Sequence, residues 1–345
     1  MKFGLWVEPE MVNPDSDLYR AHPDWVLHWP GRPRREIRNQ LVLDLGRREV
    51  REHLFRQLDT LVRENEVDFL KWDMNRALTE AGSVAGAEIF QLHADAIYEI
   101  IDRLRARHRR LRIESCSGGG SRVDYGILQR TDQVWTSDNT DAHDRLAIQE
   151  GYSLAYPLRA MMCWVTHGDN HQTGRRSTLD FRFDVAMRGG LGIGSTIDRL
   201  DVKELAAYRA KISFYKKIRA VVQNGDLYRL LPLDTRTGAT VWLTVAPDRR
   251  AAVYSAIFAD QPLGLTPARP PLRGLNPQLR YRVTDERGET LGKFPGAQLL
   301  TLGLPHDLHR PTVGRSSRSQ TLWLEAQSVG GPLRRDSRAS TLVRS

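Results

Sequence analysis

The amino-acid sequence predicts an α/β chain, with a parallel barrel-type sheet first and a small antiparallel β domain after it. Three observations predict this. Six short apolar runs suited to strands recur in the first two hundred residues, several of them separated by helical patterns. Polar residues gather at the C-terminal ends of those runs, at Glu8, Asp73 with Asn75, Cys116 and Asp138, the rim where α/β barrels build their sites. From about residue 228 the texture changes to short strand-like runs divided by Pro, Gly and Asp turns, as in antiparallel β domains. A doubly wound sheet would more often show a Gly-rich phosphate turn after its first strand, and "GLWVEPE" has none.

Taken in order, "FGLWVEP" is the first strand. "RREVREHLFRQLDTLVRENE" then places Val50, Leu54, Leu58, Leu61 and Val62 on one helical stripe. In "VDFLKWDMNR" successive side chains alternate between faces, so Phe69, Lys71, Asp73 and Asn75 share one and Leu70, Trp72 and Met74 the other. The Trp-bearing face suits packing against helices. The other gathers a cation, a carboxylate and an amide, which a solvated pocket holds cheaply; an edge strand with a wet face is the plainer explanation. "AEIFQLHADAIYEIIDRLRARH" carries a second stripe of Ile89, Leu92, Ile97, Ile100, Ile101 and Leu104. The strands "LRIESCSGG", "QVWTSDN", "MMCWVT" and "GLGIGSTI" follow, with shorter helices predicted in "RLAIQEGYSLAYPL" and "LDFRFDVAMRGG". A long helix, "DVKELAAYRAKISFYKKIRAVVQNG", ends at Gly225, as helices often do. Beyond it "LYRLLPL", "TVWLTVAP", "RAAVYSAIF", "YRVTDE" and "LWLEA" read as antiparallel strands. The expected organisation is a barrel part over 1–227, a β-sandwich over 228–328 and a disordered basic tail over 329–345.

Hydrophobic content of 40% and charged content of 27% describe an ordinary soluble globular protein. No apolar run is long enough for a membrane span, and the opening "MKFGLWVEPE" lacks the regions of a secretory signal. Cys116 and Cys163 are too few for a disulfide framework, so the expected compartment is the cytoplasm. The net charge of +9 invites a nucleic-acid partner, but the basic residues are scattered and no recognition signature accompanies them. Only 7 of the 51 basic residues are lysine, an imbalance that coding bias explains as well as any partner. Neither a nucleic-acid nor a membrane partner is expected.

The segments "FGLWVEPEMVNPDSDLYRAHPDWVL", "RNQLVLDL", "FLKWDMNR", "ESCSGGG" and "WTSDNTD" together resemble the bacterial α-galactosidases of glycoside hydrolase family 36. The match runs from residue 3 to about residue 200, in that family's order and near its spacing; the β-rich remainder is similar more weakly. The resemblance implies an incomplete (β/α)8-type TIM barrel made of strands 3–8, followed by a terminal β-sandwich. It implies retaining hydrolysis of small α-galactosides of the melibiose and raffinose type, with Asp73 as nucleophile and Asp138 as acid/base. Retention needs two carboxyls roughly 5–5.5 Å apart, one ionised and one protonated. Lys71 is expected to lower the pKa of Asp73, and partial burial beside Trp135 to keep Asp138 protonated. Asp138 could instead cap the following helix, a role Asp141 fits better.

By the same resemblance Trp6, Arg38, Lys71, Trp72, Asn75, Cys116 and Gly119 contact the galactosyl unit or line its pocket. Trp6 offers a π surface to a sugar face, with barrel-core packing as the competing role. Arg38 and Lys71 supply donors for hydroxyls or form surface ion pairs. The glycines after Cys116 let the backbone approach a ligand closely; no Gly-Lys-Ser/Thr ending supports a phosphate loop. His167 and His171 in "HGDNH" are four apart, but the residues between them favour a loop over a metal site. "GLGIGS" lacks the rest of a dinucleotide fingerprint and reads as the last barrel strand. No metal or cofactor is expected, and a homo-oligomer only of a full-length protein.

The chain departs from the family in lacking its N-terminal sandwich, first two barrel strands and strand-end acidic pair, so it is expected to be a fragment. The alternatives are a catalytically inactive remnant that binds carbohydrate or serves in assembly, and an α-N-acetylgalactosaminidase or transglycosylase. A bulky Cys116 near the sugar's C2 favours plain galactose.

Overall fold

The computed structural model describes residues 1–260, 269–305 and 317–327. The chain divides into two compact units, Met1–Leu200 and Asp201–Ser345. In the first, strands β1 (Gly4–Val7), β2 (Met11–Val12) and β3 (Leu41–Val42) come with a short helix α1 (Asp17–Ala21). Helix α2 (Arg48–Glu64), strand β4 (Phe69–Trp72), helix α3 (Ile89–Arg107) and strand β5 (Arg112–Ser115) follow. The unit continues through α4 (Tyr125–Leu128), β6 (Gln133–Trp135), α5 (Asp144–Ala155), β7 (Met161–Val165), α6 (Leu179–Ala186) and β8 (Gly190–Ile193).

The six predicted strands form one parallel sheet in the order β1-β4-β5-β6-β7-β8, the barrel-like part the sequence predicts. Neighbours in space are neighbours in the chain, as expected when helices connect parallel strands. β2 and β3 pair apart as a small antiparallel ladder. "GLGIGS" supplies the last strand of the sheet, and its glycines have a use: a Cβ on Gly192 would lie 2.4 Å from the Trp164 ring. The register aligns Trp6 with Lys71, Lys71 with Glu114, and Glu114 with Gln133.

The alternation read in "VDFLKWDMNR" holds. Leu70 and Trp72 are buried in a cluster with Val50, Leu54 and Leu58 of α2 and Ile97, Ile100 and Leu104 of α3. Each such side chain contributes roughly 1.5–3 kcal/mol by leaving water. The stripes differ from expectation at their edges. Phe55 is buried while Leu61 is half-buried, and His93 is buried beside a half-buried Leu92.

His93 is buried because a charge needs it there. Glu10, with no solvent exposure, accepts from Arg122 Nη1 (2.8 Å) and Nη2 (3.0 Å), from Trp72 Nε1 (2.8 Å), and meets His93 Nε2 at 2.8 Å. Burial alone would raise its pKa, but the Arg122 charge and the hydrogen bonds of His93 and Arg122 outweigh it and hold the carboxyl at about 2.

In the second unit α7 (Val202–Asn224) begins with a capping box between Asp201 and Glu204. This helix, read from the sequence as part of the barrel segment, groups with the β domain. Strands β9 (Asp226–Asp234), β10 (Ala239–Val245), β11 (Ala251–Phe258), β12 (Arg280–Thr284) and β13 (Thr290–Pro295), helix α8 (Gly296–Leu302) and strand β14 (Arg318–Ala326) complete it. The strands form one antiparallel sheet in the order β13-β12-β14-β11-β10-β9, around Tyr254, Tyr281, Leu243 and Leu324. β13, "TLGKFP", escaped the sequence reading because Gly292 and Pro295 look like turn residues. The basic tail expected at 329–345 lies outside the described residues.

Removing one partner of a buried ion pair strands the other, so Glu10→Ala should destabilise the chain by about 3–5 kcal/mol in urea unfolding. A folded pKa of about 2 against an ordinary 4.5 fixes the sign with pH. The contribution of Glu10 is complete above about 4.5 and lost as pH falls toward about 2, and Glu10→Gln should flatten that part of the stability profile.

Candidate active site

Asp73 directly follows β4 at the C-terminal rim. It is nearly buried, 5% exposed, and neutral donors surround its carboxylate. Trp6 Nε1 donates to Oδ2 at 2.9 Å and the Met74 N–H to Oδ1 at 2.8 Å. The polar side chains of Asn75 and Cys116 also act on it. Burial would raise the pKa, but the donors Asn75, Trp6, Cys116 and Met74 together bring it below the ordinary aspartate value. The direction matches the sequence expectation; the cause does not. Lys71 Nζ is 3.0 Å from Glu114 Oε1 and sits over the rings of Trp135 and Trp164, 4.4 and 5.5 Å from their centroids. Its charge is engaged by Glu114, which also accepts from Gln133 Nε2 at 2.5 Å.

Cys116 is buried, and loss of solvent pushes its thiol up to about 12. It is therefore a neutral donor to Asp73, not a nucleophile. Trp6 is 54% exposed, which sets aside core packing as its role within this chain and leaves the ring open to solvent while its N–H edge meets the carboxylate.

The glycine loop after β5 lies between the two aspartates' strand ends. Ser117 Oγ donates to the Met74 carbonyl at 2.9 Å. Gly119 has φ +89°, and a Cβ there would come within 2.9 Å of Ser137 Cα and 3.0 Å of the Asp138 nitrogen. Only glycine fits that approach, so the loop sets the backbone of Asp138. The Asp138 carboxylate accepts from Trp135 Nε1 at 2.8 Å. The expected contact with Trp135 is present, but the expected partial burial is not: Asp138 is exposed. Asp141 does the capping, its Oδ1 accepting from the N–H groups of His143 (2.8 Å) and Asp144 (3.3 Å). Burial raises the Asp141 pKa, and its bonds from Thr173, the His143 N–H and Arg175 more than offset this.

Trp72 needs correction as a sugar contact. It is 1% exposed, on the helix-facing side of the sheet, with its indole N–H on Glu10. It supports the strand that carries Asp73 and lies outside the pocket. Arg38 is exposed and, among the described residues, has no hydrogen-bond or ion-pair partner, so the surface ion pair is set aside. Arg38 and Asn39 have φ of 59° and 57° in a tight turn closed by Ile37 and Gln40, a conformation costing roughly 1–2 kcal/mol per non-glycine residue. His167 and His171 lie in the loop between β7 and α6, where His167 meets Thr196. Trp164, Gln40 and Glu10 escaped the sequence reading. Two of them belong to apolar or turn segments that carry no sign of their partners, and Glu10 stands in the loop after β1.

A parallel barrel-type sheet with an aspartate just past each of β4 and β6 at its C-terminal rim points to a class, the glycoside hydrolases, whose chemistry uses two carboxyls. The chain belongs to the melibiase family: the Melibiase family model matches residues 1–225, and that of the glycosyl hydrolase family 36 C-terminal domain matches 239–324. It is 41% identical over 312 residues to alpha-galactosidase AgaA of Geobacillus stearothermophilus, covering 88% of this chain and 42% of that protein. It is 39% identical over 328 residues to alpha-galactosidase C of Emericella nidulans, covering 95% and 42%. The crystal structure of AgaA superposes with a TM-score of 0.88 at 38% identity over 95% of this chain and 45% of that one. The chain thus spans less than half the length of the relatives it matches. AgaA variants have been crystallised in complex with raffinose and with stachyose.

Because Asn75 leads the groups that lower the Asp73 pKa, Asn75→Ala should raise it. The acid limb of a kcat/KM profile should then move to higher pH while the alkaline limb stays in place.

Proposed function

We propose that this chain carries the reacting face of an α-galactosidase that cleaves terminal α-galactosyl residues of melibiose- and raffinose-type sugars with retention. The observation that carries the reading is the nearly buried Asp73 carboxylate, its pKa lowered, at the N–H edge of the exposed Trp6 ring. Asp73 attacks the anomeric carbon while Asp138 gives its proton to the departing glycosidic oxygen. Asp138 then takes a proton from water, which attacks the same carbon and releases galactose and Asp73. The chemistry needs only carboxyls and water. That the relatives are named alpha-galactosidases and their structures hold raffinose and stachyose supports this substrate class. Two buried, unbridged cysteines fit a reducing compartment, and we place the protein in the cytoplasm. No helix among the described residues is long and apolar enough to cross a membrane.

Two outcomes test the roles. Asp73→Ala should abolish turnover of an aryl α-galactoside, and a fluorinated galactosyl trap should label a peptide containing "KWDMNR". Asp138→Ala should spare a nitrophenyl galactoside more than melibiose, because a good leaving group departs unprotonated, and azide should restore part of the rate as a product of retained configuration. Label on Asp138 or Asp141 would reverse the assignment. Turnover only of 2-acetamido galactosides, or mainly galactosyl transfer, would favour the sibling activities.

β1 and β8 are the edges of the six-stranded sheet, whereas a closed barrel of this type has eight strands. We include closure as a condition of full activity. The 345-residue chain should turn over an aryl α-galactoside well below a full-length relative assayed beside it, since binding energy lost from remote hydroxyls is lost from the barrier as well. Activity equal to the relative's would overturn the closure requirement; carbohydrate binding without turnover would favour the inactive-remnant reading.

A further inference from the structure

We infer that Glu8 is a positioning residue that sets Asn75, two residues beyond the proposed nucleophile, and the turn bearing Arg38 with a single carboxylate, an inference that rests on the function proposed above. Glu8 stands just past the end of β1, half-buried. Its two oxygens go in different directions. Oε1 accepts the Asn75 backbone N–H at 2.7 Å, and Oε2 accepts Gln40 Nε2 at 2.6 Å.

On the first side, Asn75 is two residues beyond Asp73, and its side chain leads the groups that lower the Asp73 pKa. A side-chain donor acts only where its backbone puts it. Asn75 follows the end of β4, so no strand ladder fixes its N–H, which donates to Glu8 instead. On the second side, Gln40 closes the turn through Ile37: its N–H donates to the Ile37 carbonyl at 3.1 Å and its carbonyl accepts from the Ile37 N–H at 3.3 Å. The two residues between them hold left-handed φ, which persists only where the surroundings fix it. A carboxylate can only accept, so Gln40 must turn its NH2 toward Glu8. Its Oε1 is then buried without a partner among the described residues. That orphaned oxygen shows which bond fixes the Gln40 side chain: the one to Glu8.

Three variants of the chain separate this role from simple fold support, with far-UV circular dichroism and thermal unfolding as folding controls. Glu8→Ala releases both sides and should lower kcat/KM about a hundredfold, the scale of a misplaced positioning group. Gln40→Ala releases only the Arg38 turn and should raise KM about tenfold with kcat within about twofold. Glu8→Gln keeps an oxygen for the Asn75 N–H, and Gln40 can flip to present its orphaned Oε1. It should stay within about threefold of the parent. Native-state hydrogen exchange provides a readout that needs no turnover: the Asn75 amide should exchange at least about tenfold faster in Glu8→Ala and not in Gln40→Ala.

An Asn75 amide that exchanges equally in parent and Glu8→Ala would overturn the inference, as would the same KM and kcat changes in Gln40→Ala and Glu8→Ala. A Glu8→Gln variant as impaired as a folded Glu8→Ala would overturn it too. If Glu8→Ala does not fold, Glu8→Gln and Gln40→Ala still decide through the KM split and the exchange rates. A parent inert on every α-galactoside would overturn the proposed function instead, and the exchange comparison would then decide alone whether Glu8 holds Asn75.

Discussion

Glu10 carries a negative charge at a place water does not reach, and groups from three separate stretches of chain converge to receive it. Trp72 belongs to the strand that ends in Asp73, His93 to the following helix, and Arg122 to the loop that begins with the site glycines. A buried carboxylate is costly unless paired and fully hydrogen-bonded. The sheet, the helix layer and the loop must therefore reach their places together for any of them to be stable there. The side of β4 that carries no chemistry thus decides where the chemical side ends.

On that chemical side, charge is distributed sparingly. Lys71 is the cation nearest in sequence to Asp73, yet it is engaged by Glu114 and flanked by Trp135 and Trp164. Asp73 instead accepts from the Trp6 indole and the Met74 N–H, and Asn75 and Cys116 help to lower its pKa. The difference matters for the nucleophile role proposed for Asp73. A cation pressed against the carboxylate would hold its electron pair and oppose bond formation, whereas dipoles oriented in advance stabilise the charge without occupying the line of attack. A buried thiol suits this task, since it donates a hydrogen bond and does not ionise near neutral pH.

The fold was legible wherever one residue period dominated. All six parallel strands and the longer helices stand where alternation and helical stripes put them, because burial on one face is what those patterns record. The motifs singled out Asp73 and Asp138, which the fold sets just past the ends of β4 and β6, and composition singled out the glycine loop. What stayed hidden was partnership across the chain. Nothing local tells Lys71 to choose Glu114, 43 positions away, over Asp73. Nothing local tells His93 to leave the solvent face for Glu10. Trp72 shows the same limit from the other side: its place in the motif suggested the sugar, while its strand parity already pointed it at the helices. Where motif and parity disagreed, parity was the better guide, because it follows from backbone geometry.

The turn at Arg38 and Asn39 has a further consequence. Two-residue turns of left-handed φ are best served by asparagine followed by glycine, and this one begins with arginine instead. A glycine at position 38 would relax the backbone and make the chain sturdier, yet it would delete the unpartnered guanidinium that the turn displays. Arginine at position 38 therefore trades backbone ease for a guanidinium held out at a fixed place by a turn too short to let it wander.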